Sequence, residues 1–78
     1  MDIKVLGTGC ANCKNTIALI DQVAKARGVS VKLEKVEELR AIMAYGVMST
    51  PGIVINGKVV HAGGVPSRDK IEQWLAAT

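Results

Sequence analysis

The chain has 78 residues, a net charge of +3 and two aromatic residues, one tryptophan and one tyrosine. This length suits one small domain, which we expect to span residues 1–78. The basic residues are dispersed along the chain and few aromatics accompany them, which argues against nucleic-acid binding. No apolar run approaches the roughly 18 residues of a membrane span, and no charged-then-apolar leader opens the chain. We therefore expect no membrane partner.

The two cysteines, Cys10 and Cys13, have the spacing CxxC. One such pair is too little for the disulfide framework of a small secreted domain. In a reducing compartment this spacing is typical of thiol redox chemistry or of metal capture. We expect a cytoplasmic location, and the rest of the chain has to distinguish the two chemistries.

The first half of the chain alternates strand and helix patterns. Residues 3–6 form an apolar run that predicts a short buried strand. A helix is predicted over residues 11–27, closed by Gly28 after basic residues. Its core-facing stripe has spacings of 4, 3 and 4 residues and consists of Cys13, Ile17, Ile20 and Ala24.

The next two elements are predicted from alternation and from charge. Residues 29–34 alternate strictly between apolar and polar, which predicts a strand at or near a sheet edge. A second helix is predicted over residues 36–45, with Glu37 and Glu38 in its first turn. Its predicted buried residues are Leu39, Ile42 and Met43.

The second half is predicted to form a hairpin and a closing helix. The apolar run 53–55 predicts a strand, and the Asn-Gly pair at 56–57 predicts a tight turn to a return strand at 58–61. Ser67 is a predicted N-cap for a helix over residues 68–76. The core-facing residues of this helix are predicted to be Ile71, Trp74 and Leu75. The order βα-βα-ββ-α predicts a three-layer α/β fold with a four-stranded mixed sheet and three helices.

Both cysteines fall where the first strand turns into the first helix. Residues three apart on a helical turn are neighbours, so Cys10 and Cys13 can form a disulfide with little backbone movement. The helix N-terminus offers unpaired N–H groups and a positive dipole end, both of which stabilise a thiolate. Gly7 and Gly9 let the backbone turn sharply between the two elements. Cys13 belongs to the apolar stripe and should point inward and be partly buried, whereas Cys10 should be the exposed, attacking thiol.

Three features of the chain together resemble thioredoxins and glutaredoxins. They are the CxxC after the first strand, the segment 45–51 (Tyr-Gly-Val-Met-Ser-Thr-Pro) and the run 53–60 around the Asn-Gly pair. The whole chain is similar to the small redox-active disulfide proteins of the thioredoxin superfamily. The resemblance implies a thioredoxin-like fold in which the Thr50–Pro51 peptide is cis and faces the CxxC. It also implies that the backbone of Thr50 pairs with an extended segment of a disulfide substrate.

The residues around the cysteines depart from both families. Gly9 stands where thioredoxins have a tryptophan, and Ala11-Asn12 replaces their Gly-Pro as well as the Pro-Tyr of glutaredoxins. The glycine pair at 63–64 resembles the glutaredoxin diglycine that helps to hold the glutathione carboxylate. The choice of reductant, a separate reductase or glutathione, therefore stays open at this point.

Two other classes of function are alternatives. The stretch 9–13 also resembles the metal-binding loop of small copper chaperones, which would make the chain a metal-transfer module. Those proteins run β-α-β-β-α-β and usually have a methionine where this chain has Thr8. A zinc site would lack ligands, because two thiolates and His61 fall one short of four. The second alternative is an interaction domain that keeps the fold without catalysis.

Together these observations predict a thiol–disulfide oxidoreductase that acts as a reductant of protein disulfides. Cys10 attacks the substrate disulfide, and Cys13 resolves the mixed disulfide that results. We expect a monomer without a cofactor or metal. A separate partner must restore the dithiol, because the chain has no room for its own flavin or nucleotide site. The predicted strands contain no carboxylate before Glu34, so we expect water to take the proton of Cys13.

Overall fold

The computed structural model describes residues 1–7 and 11–76. Within them, strands and helices follow each other in the predicted order βα-βα-ββ-α. The strands are β1 (Asp2–Leu6), β2 (Lys32–Val36), β3 (Gly52–Ile55) and β4 (Lys58–Ala62), and the helices are α1 (Ala11–Arg27), α2 (Leu39–Ala44) and α3 (Arg68–Ala76). None of these helices has the length and apolar character needed to cross a bilayer.

One mixed sheet joins the four described strands in the order β2-β1-β3-β4. β1 pairs with β2 in parallel, whereas β3 runs antiparallel to both β1 and β4. A parallel pair needs a crossover connection, and α1 provides it. The edge position predicted for the second strand is confirmed.

Alternation along β1 divides the core between the two faces of the sheet, because successive side chains of a strand point to opposite sides. Ile3 and Val5 pack on one side with residues of α1 and α3. Leu6 packs on the other side with Ile42 of α2 and with Val54 of β3. Helices therefore lie on both faces, and the predicted three-layer, thioredoxin-like α/β fold with a four-stranded mixed sheet is confirmed.

The helical faces that meet the sheet are largely those predicted. On α1 the buried residues are Cys13, Thr16, Ile20, Val23 and Ala24. Ile17, predicted to be buried, is half-buried, and the predicted stripe missed Thr16 and Val23. On α3 the buried residues are Ile71 and Leu75, and Trp74 is half-buried.

The hairpin and the cap of the last helix form as predicted. Asn56 and Gly57 have φ angles of +49° and +84°, as a two-residue turn of type I′ requires. The N–H of Asn56 donates to the Asp2 carbonyl at 2.8 Å, and Asn56 Oδ1 accepts from the Asp2 N–H at 3.0 Å. Ser67 Oγ accepts a hydrogen bond from the Lys70 N–H at 3.2 Å, which is the expected N-cap of α3.

The second strand begins later than predicted, at Lys32 rather than at residue 29. α1 ends in a Schellman motif, in which Gly28 has a φ of +67° and the N–H of Val29 donates to the Ala24 carbonyl at 2.9 Å. Because Val29 completes this cap, the pairing with the first strand starts only where the Lys32 N–H donates to the Met1 carbonyl at 2.8 Å.

The second helix also begins later than predicted. α2 starts at Leu39 and not at residue 36, because Val36 still pairs with Leu6 in the sheet. Glu37 and Glu38 consequently precede the helix instead of filling its first turn. The prediction that these two carboxylates lie in a helical turn is therefore wrong.

The buried face of α2 is narrower than predicted. Ile42 is 2% exposed, whereas Leu39 and Met43, which were predicted to be buried, are 62% and 65% exposed. A helix of 6 residues makes fewer than two turns, so α2 directs one large side chain into the core.

Replacing Ile42 with alanine should lower the free energy of unfolding by about 2–4 kcal/mol, because the substitution leaves a cavity in the core beneath α2. Met43→Ala is the matched control, since its side chain is exposed, and it should cost less than about 0.5 kcal/mol. Chemical denaturation followed by circular dichroism measures both values. Equal losses in the two variants would contradict the anchoring of α2 through Ile42.

Candidate active site

The end of β1 and the start of α1 define the candidate site. Gly7 extends the parallel pairing beyond β1 by donating its N–H to the Val36 carbonyl at 2.9 Å. Cys13 lies in the first turn of α1 and is 4% exposed, so it points inward as predicted and is buried more fully than predicted. Cys10, predicted to be the exposed and attacking thiol, lies outside the described residues.

The side chain of Cys13 packs on the bare backbone of Gly7. A Cβ atom on Gly7 would overlap Cys13 Sγ, so a residue with a side chain has no room here unless the thiol moves. The same Cβ atom would lie 3.7 Å from Cβ of Thr50. The structure therefore brings two of the predicted site residues, Cys13 and Thr50, together at the end of β1.

Thr50 and Pro51 belong to the segment that leads into β3. The peptide bond between them is cis, as the resemblance implies. Thr50 is exposed, whereas Pro51 is buried. The Pro51 carbonyl accepts a hydrogen bond from the Gly63 N–H at 3.0 Å, so the segment is attached to the loop that follows β4.

The loop after β4 is held by contacts that the sequence did not predict. Nε2 of His61 lies 3.0 Å from the Gly64 carbonyl oxygen, to which it donates, and the imidazole is tilted against Trp74 with ring centroids 6.1 Å apart. Gly63 and Gly64 have φ angles of +84° and +72°. These left-handed conformations require glycine, so the backbone geometry accounts for the pair without a ligand.

A small cavity of about 30 Å³ adjoins Cys13 and is large enough for about one water molecule. Its apolar lining consists of Val5, Gly7 and Ile17, and its charged lining consists of Lys14, Lys35 and Glu37. A wider groove of about 400 Å³ shares Lys14, Ile17 and Lys35 with this cavity and opens to solvent. Cys13 therefore shares the lining of this cavity with three charged residues.

Sequence reasoning missed Lys35 and Glu37 as neighbours of Cys13. Lys35 is level with Val5 in the parallel pairing, so its side chain belongs to the face of the sheet that α1 covers. The prediction ended the second strand at residue 34 and placed Glu37 in a helix. The signal that could have found both residues is the alternation of Leu33, Lys35 and Glu37, which continues past that point.

The described part of the chain contains one buried polar side chain, that of Thr16, whose Oγ1 donates to the Asn12 carbonyl at 2.7 Å. No carboxylate is buried among these residues, and Glu37 is exposed at the edge of the cavity. The same residues contain no group of three His, Cys, Asp or Glu side chains placed to hold a metal ion.

Comparison with known proteins identifies a matching family and several relatives. A family profile described as a thioredoxin domain matches residues 1–76. The thioredoxin of Methanothermobacter thermautotrophicus is 32% identical over 76 residues, which cover 97% of this chain and 99% of that protein. The thioredoxin of Methanocaldococcus jannaschii is 29% identical over 73 residues, which cover 94% of this chain and 84% of that protein.

The family match includes both cysteines and the cis proline, since it extends over residues 1–76. The element order βα-βα-ββ-α also differs from the β-α-β-β-α-β order of the copper chaperones, the first alternative considered for this sequence. The chain belongs to the thioredoxin family and is a thiol–disulfide oxidoreductase.

Proposed function

We propose that Cys10 and Cys13 are the redox-active pair and that the chain reduces disulfides of partner proteins. The observation that carries this proposal is the position of Cys13, which is buried in the first turn of α1 and packed on Gly7 beside Thr50. The other cysteine stands three residues earlier in the sequence, and this spacing at a helix start allows two thiols to reach disulfide distance. A shielded second thiol next to a reactive first one is suited to resolving a mixed disulfide.

In the forward reaction, the thiolate of Cys10 attacks one sulfur of the substrate disulfide. A mixed disulfide forms between Cys10 and the substrate, and the other substrate sulfur leaves as a thiolate. Cys13 then loses its proton and attacks Sγ of Cys10. The Cys10–Cys13 disulfide forms, the bond from Cys10 to the substrate breaks, and the second substrate thiolate leaves. Two electrons pass from the cysteine pair to the substrate.

Thr50 and Pro51 form the proposed binding edge for the substrate. Thr50 is exposed and close to the backbone on which Cys13 packs, while the carbonyl of buried Pro51 attaches the segment to the loop after β4. A substrate segment that pairs with the Thr50 backbone would bring its disulfide to the cysteine pair. Main-chain pairing tolerates many side chains, so the proposed substrates are extended, disulfide-bearing segments of proteins.

A separate partner has to restore the dithiol, and we assign this role to a thioredoxin-reductase-like enzyme. Glutathione is the alternative, but Gly63 and Gly64 give it no support because their φ angles already require glycine. The proposal describes a single-domain monomer over residues 1–78 that acts in the cytoplasm. It includes no resident cofactor or metal and no nucleic-acid or membrane partner.

The two cysteines should respond differently to substitution by serine. Cys10→Ser removes the attacking thiol, whereas Cys13→Ser leaves the first attack intact and removes the thiol that resolves its product. Reduction of insulin in the presence of dithiothreitol should fall on the order of 100-fold or more in both variants. Only Cys13→Ser should accumulate a covalent adduct with a disulfide-bonded peptide, detected by intact-protein mass spectrometry.

Three results would contradict the proposal in different ways. Full activity of Cys10→Ser would exclude the cysteine pair as the redox centre. Tight Cu(I) binding by a wild-type chain that reduces no disulfide would favour metal transfer. A wild-type chain that forms no intramolecular disulfide under mild oxidation would favour the non-catalytic interaction domain.

Gly7→Ala should displace the side chain of Cys13, because the added methyl group occupies the place of the thiol. We expect a loss of about 1–3 kcal/mol in the free energy of unfolding, together with slower insulin reduction. Gly28→Ala is the matched control at the other end of α1. Its φ of +67° strains alanine by about 1–2 kcal/mol, but no atom lies within 4 Å of the new Cβ. If both variants reduce insulin at the same rate, packing on Gly7 is not required for the reaction.

A further inference from the structure

β2 forms one edge of the sheet, and among the described strands it pairs with β1 alone. The backbone N–H and C=O groups of successive residues in a strand point alternately to its two sides. The Lys32 N–H and the Val36 carbonyl form hydrogen bonds with residues that flank β1, so these two residues face β1. Leu33 and Lys35 therefore direct their N–H and C=O groups to the outer side of the sheet, where a further strand can pair with them.

The groove of about 400 Å³ described above lies along this edge, between β2 and α1. Its apolar lining consists of Ile17 and Ala18 from α1 and Leu33 from β2. Ile17 and Leu33 are half-buried, and Ala18 is exposed. A strand added to β2 would place every second side chain on the α1 side of the sheet, beside this apolar surface.

The charged residues of the groove are Lys14, Asp21 and Lys35, and their charges are not equally compensated. Asp21 already forms an ion pair, since its Oδ2 lies 3.0 Å from Nζ of Lys25. Lys14 and Lys35 are exposed, and neither forms an ion pair with another described residue. The uncompensated charge of the groove is therefore positive, and it favours a ligand with an acidic side chain.

The same charges argue against a second copy of the chain as the occupant. A second copy would bring its own net charge of +3 and its own lysines to this edge. Lysine on an edge strand hinders pairing with other chains, and like charges directly opposite each other destabilise a strand pair. An incoming strand that carries a carboxylate opposite Lys35 turns this hindrance into an attraction.

We propose that the outer edge of β2 binds an extended, acidic segment of a partner protein as an additional strand. An apolar side chain of the segment lies opposite Leu33 and contacts Ile17 and Ala18. An acidic side chain two residues away lies opposite Lys35 and also reaches Lys14. Cβ atoms of directly opposite residues are about 4.5–5.5 Å apart, so both contacts are close. The segment needs no cysteine, and this docking edge goes beyond the proposed redox function.

The test titrates the ¹⁵N-labelled full chain with two short peptides that contain no cysteine. One carries Val-Thr-Glu at its centre and the other carries Glu-Thr-Val, because the backbone groups of β2 accept a strand of either direction. At least one peptide should bind saturably in an NMR titration. Hydrogen exchange of the Leu33 and Lys35 amides should then slow about 10-fold or more, because pairing protects them.

Lys35→Glu should weaken binding of that peptide about 10-fold or more, because it places like charges opposite each other. A peptide with lysine in place of glutamate should bind this variant more tightly than it binds wild type. Lys58→Glu is the matched control, since it makes the same change of charge at an exposed position of β4, the opposite edge of the sheet. It should bind the acidic peptide as wild type does.

Three results would overturn this inference and leave the proposed redox function untouched. The first is no saturable binding of either peptide. The second is equal weakening by Lys35→Glu and Lys58→Glu, which would reduce the effect to net charge. The third is a dimer of the chain, seen by sedimentation equilibrium without peptide, in which the Leu33 and Lys35 amides are protected. That result would assign the edge to a second copy.

Discussion

The contact between the Cys13 thiol and the Gly7 backbone is the constraint on which the site depends. A glycine at this position allows α1 to begin directly over the end of β1, with its thiol against the chain. Gly7 is itself fixed by its hydrogen bond to Val36 of the neighbouring strand. Thr50 approaches the same glycine from the segment before β3. One backbone position therefore sets the distance between the helix, the parallel strand pair and the cis proline segment.

The sheet order explains why this position is well defined. β1 lies between β2 and β3, and its side chains contribute to the core on both faces. Strands that contribute core side chains on both faces of a sheet are among the last parts of a protein to unfold locally. The Cys13 thiol, to which we assign the resolving step, is thus supported by the central strand, while the exposed side chains of α2 lie on the opposite face of the sheet.

Much of this arrangement could be predicted from the sequence because the signals are local. The Asn-Gly turn, the Ser67 cap and the apolar stripe that carries Cys13 each depend on residues within a few positions of one another. The element order then follows from their succession. The neighbourhood of Cys13 is different, because Thr50 and Glu37 reach it only through strand pairing, and pairing register is not a local property. The position of Thr50 was expected from the family resemblance alone, and that of Glu37 was missed.

Two of the wrong predictions share one cause, because the sequence pattern placed both ends of the second strand too early. Val29 is an apolar residue in an alternating run, but it completes the cap of α1 instead of starting a strand. The shift moves β2 toward the C-terminus, so Glu37 ends up beside the thiol rather than in a helix. The hydrogen bond from His61 to the Gly64 carbonyl was also missed. It depends on the path of the loop, in which Gly63 and Gly64 have positive φ angles.

The chain has one tryptophan, Trp74, which packs near the loop that follows β4. Trp74 lies against His61, His61 holds Gly64, and the adjacent Gly63 holds Pro51. All tryptophan fluorescence of the chain therefore originates a few contacts from the cis proline segment. A ligand at the proposed binding edge that shifts the loop would change the position of the imidazole against the indole, so the fluorescence of Trp74 should report occupancy of that edge.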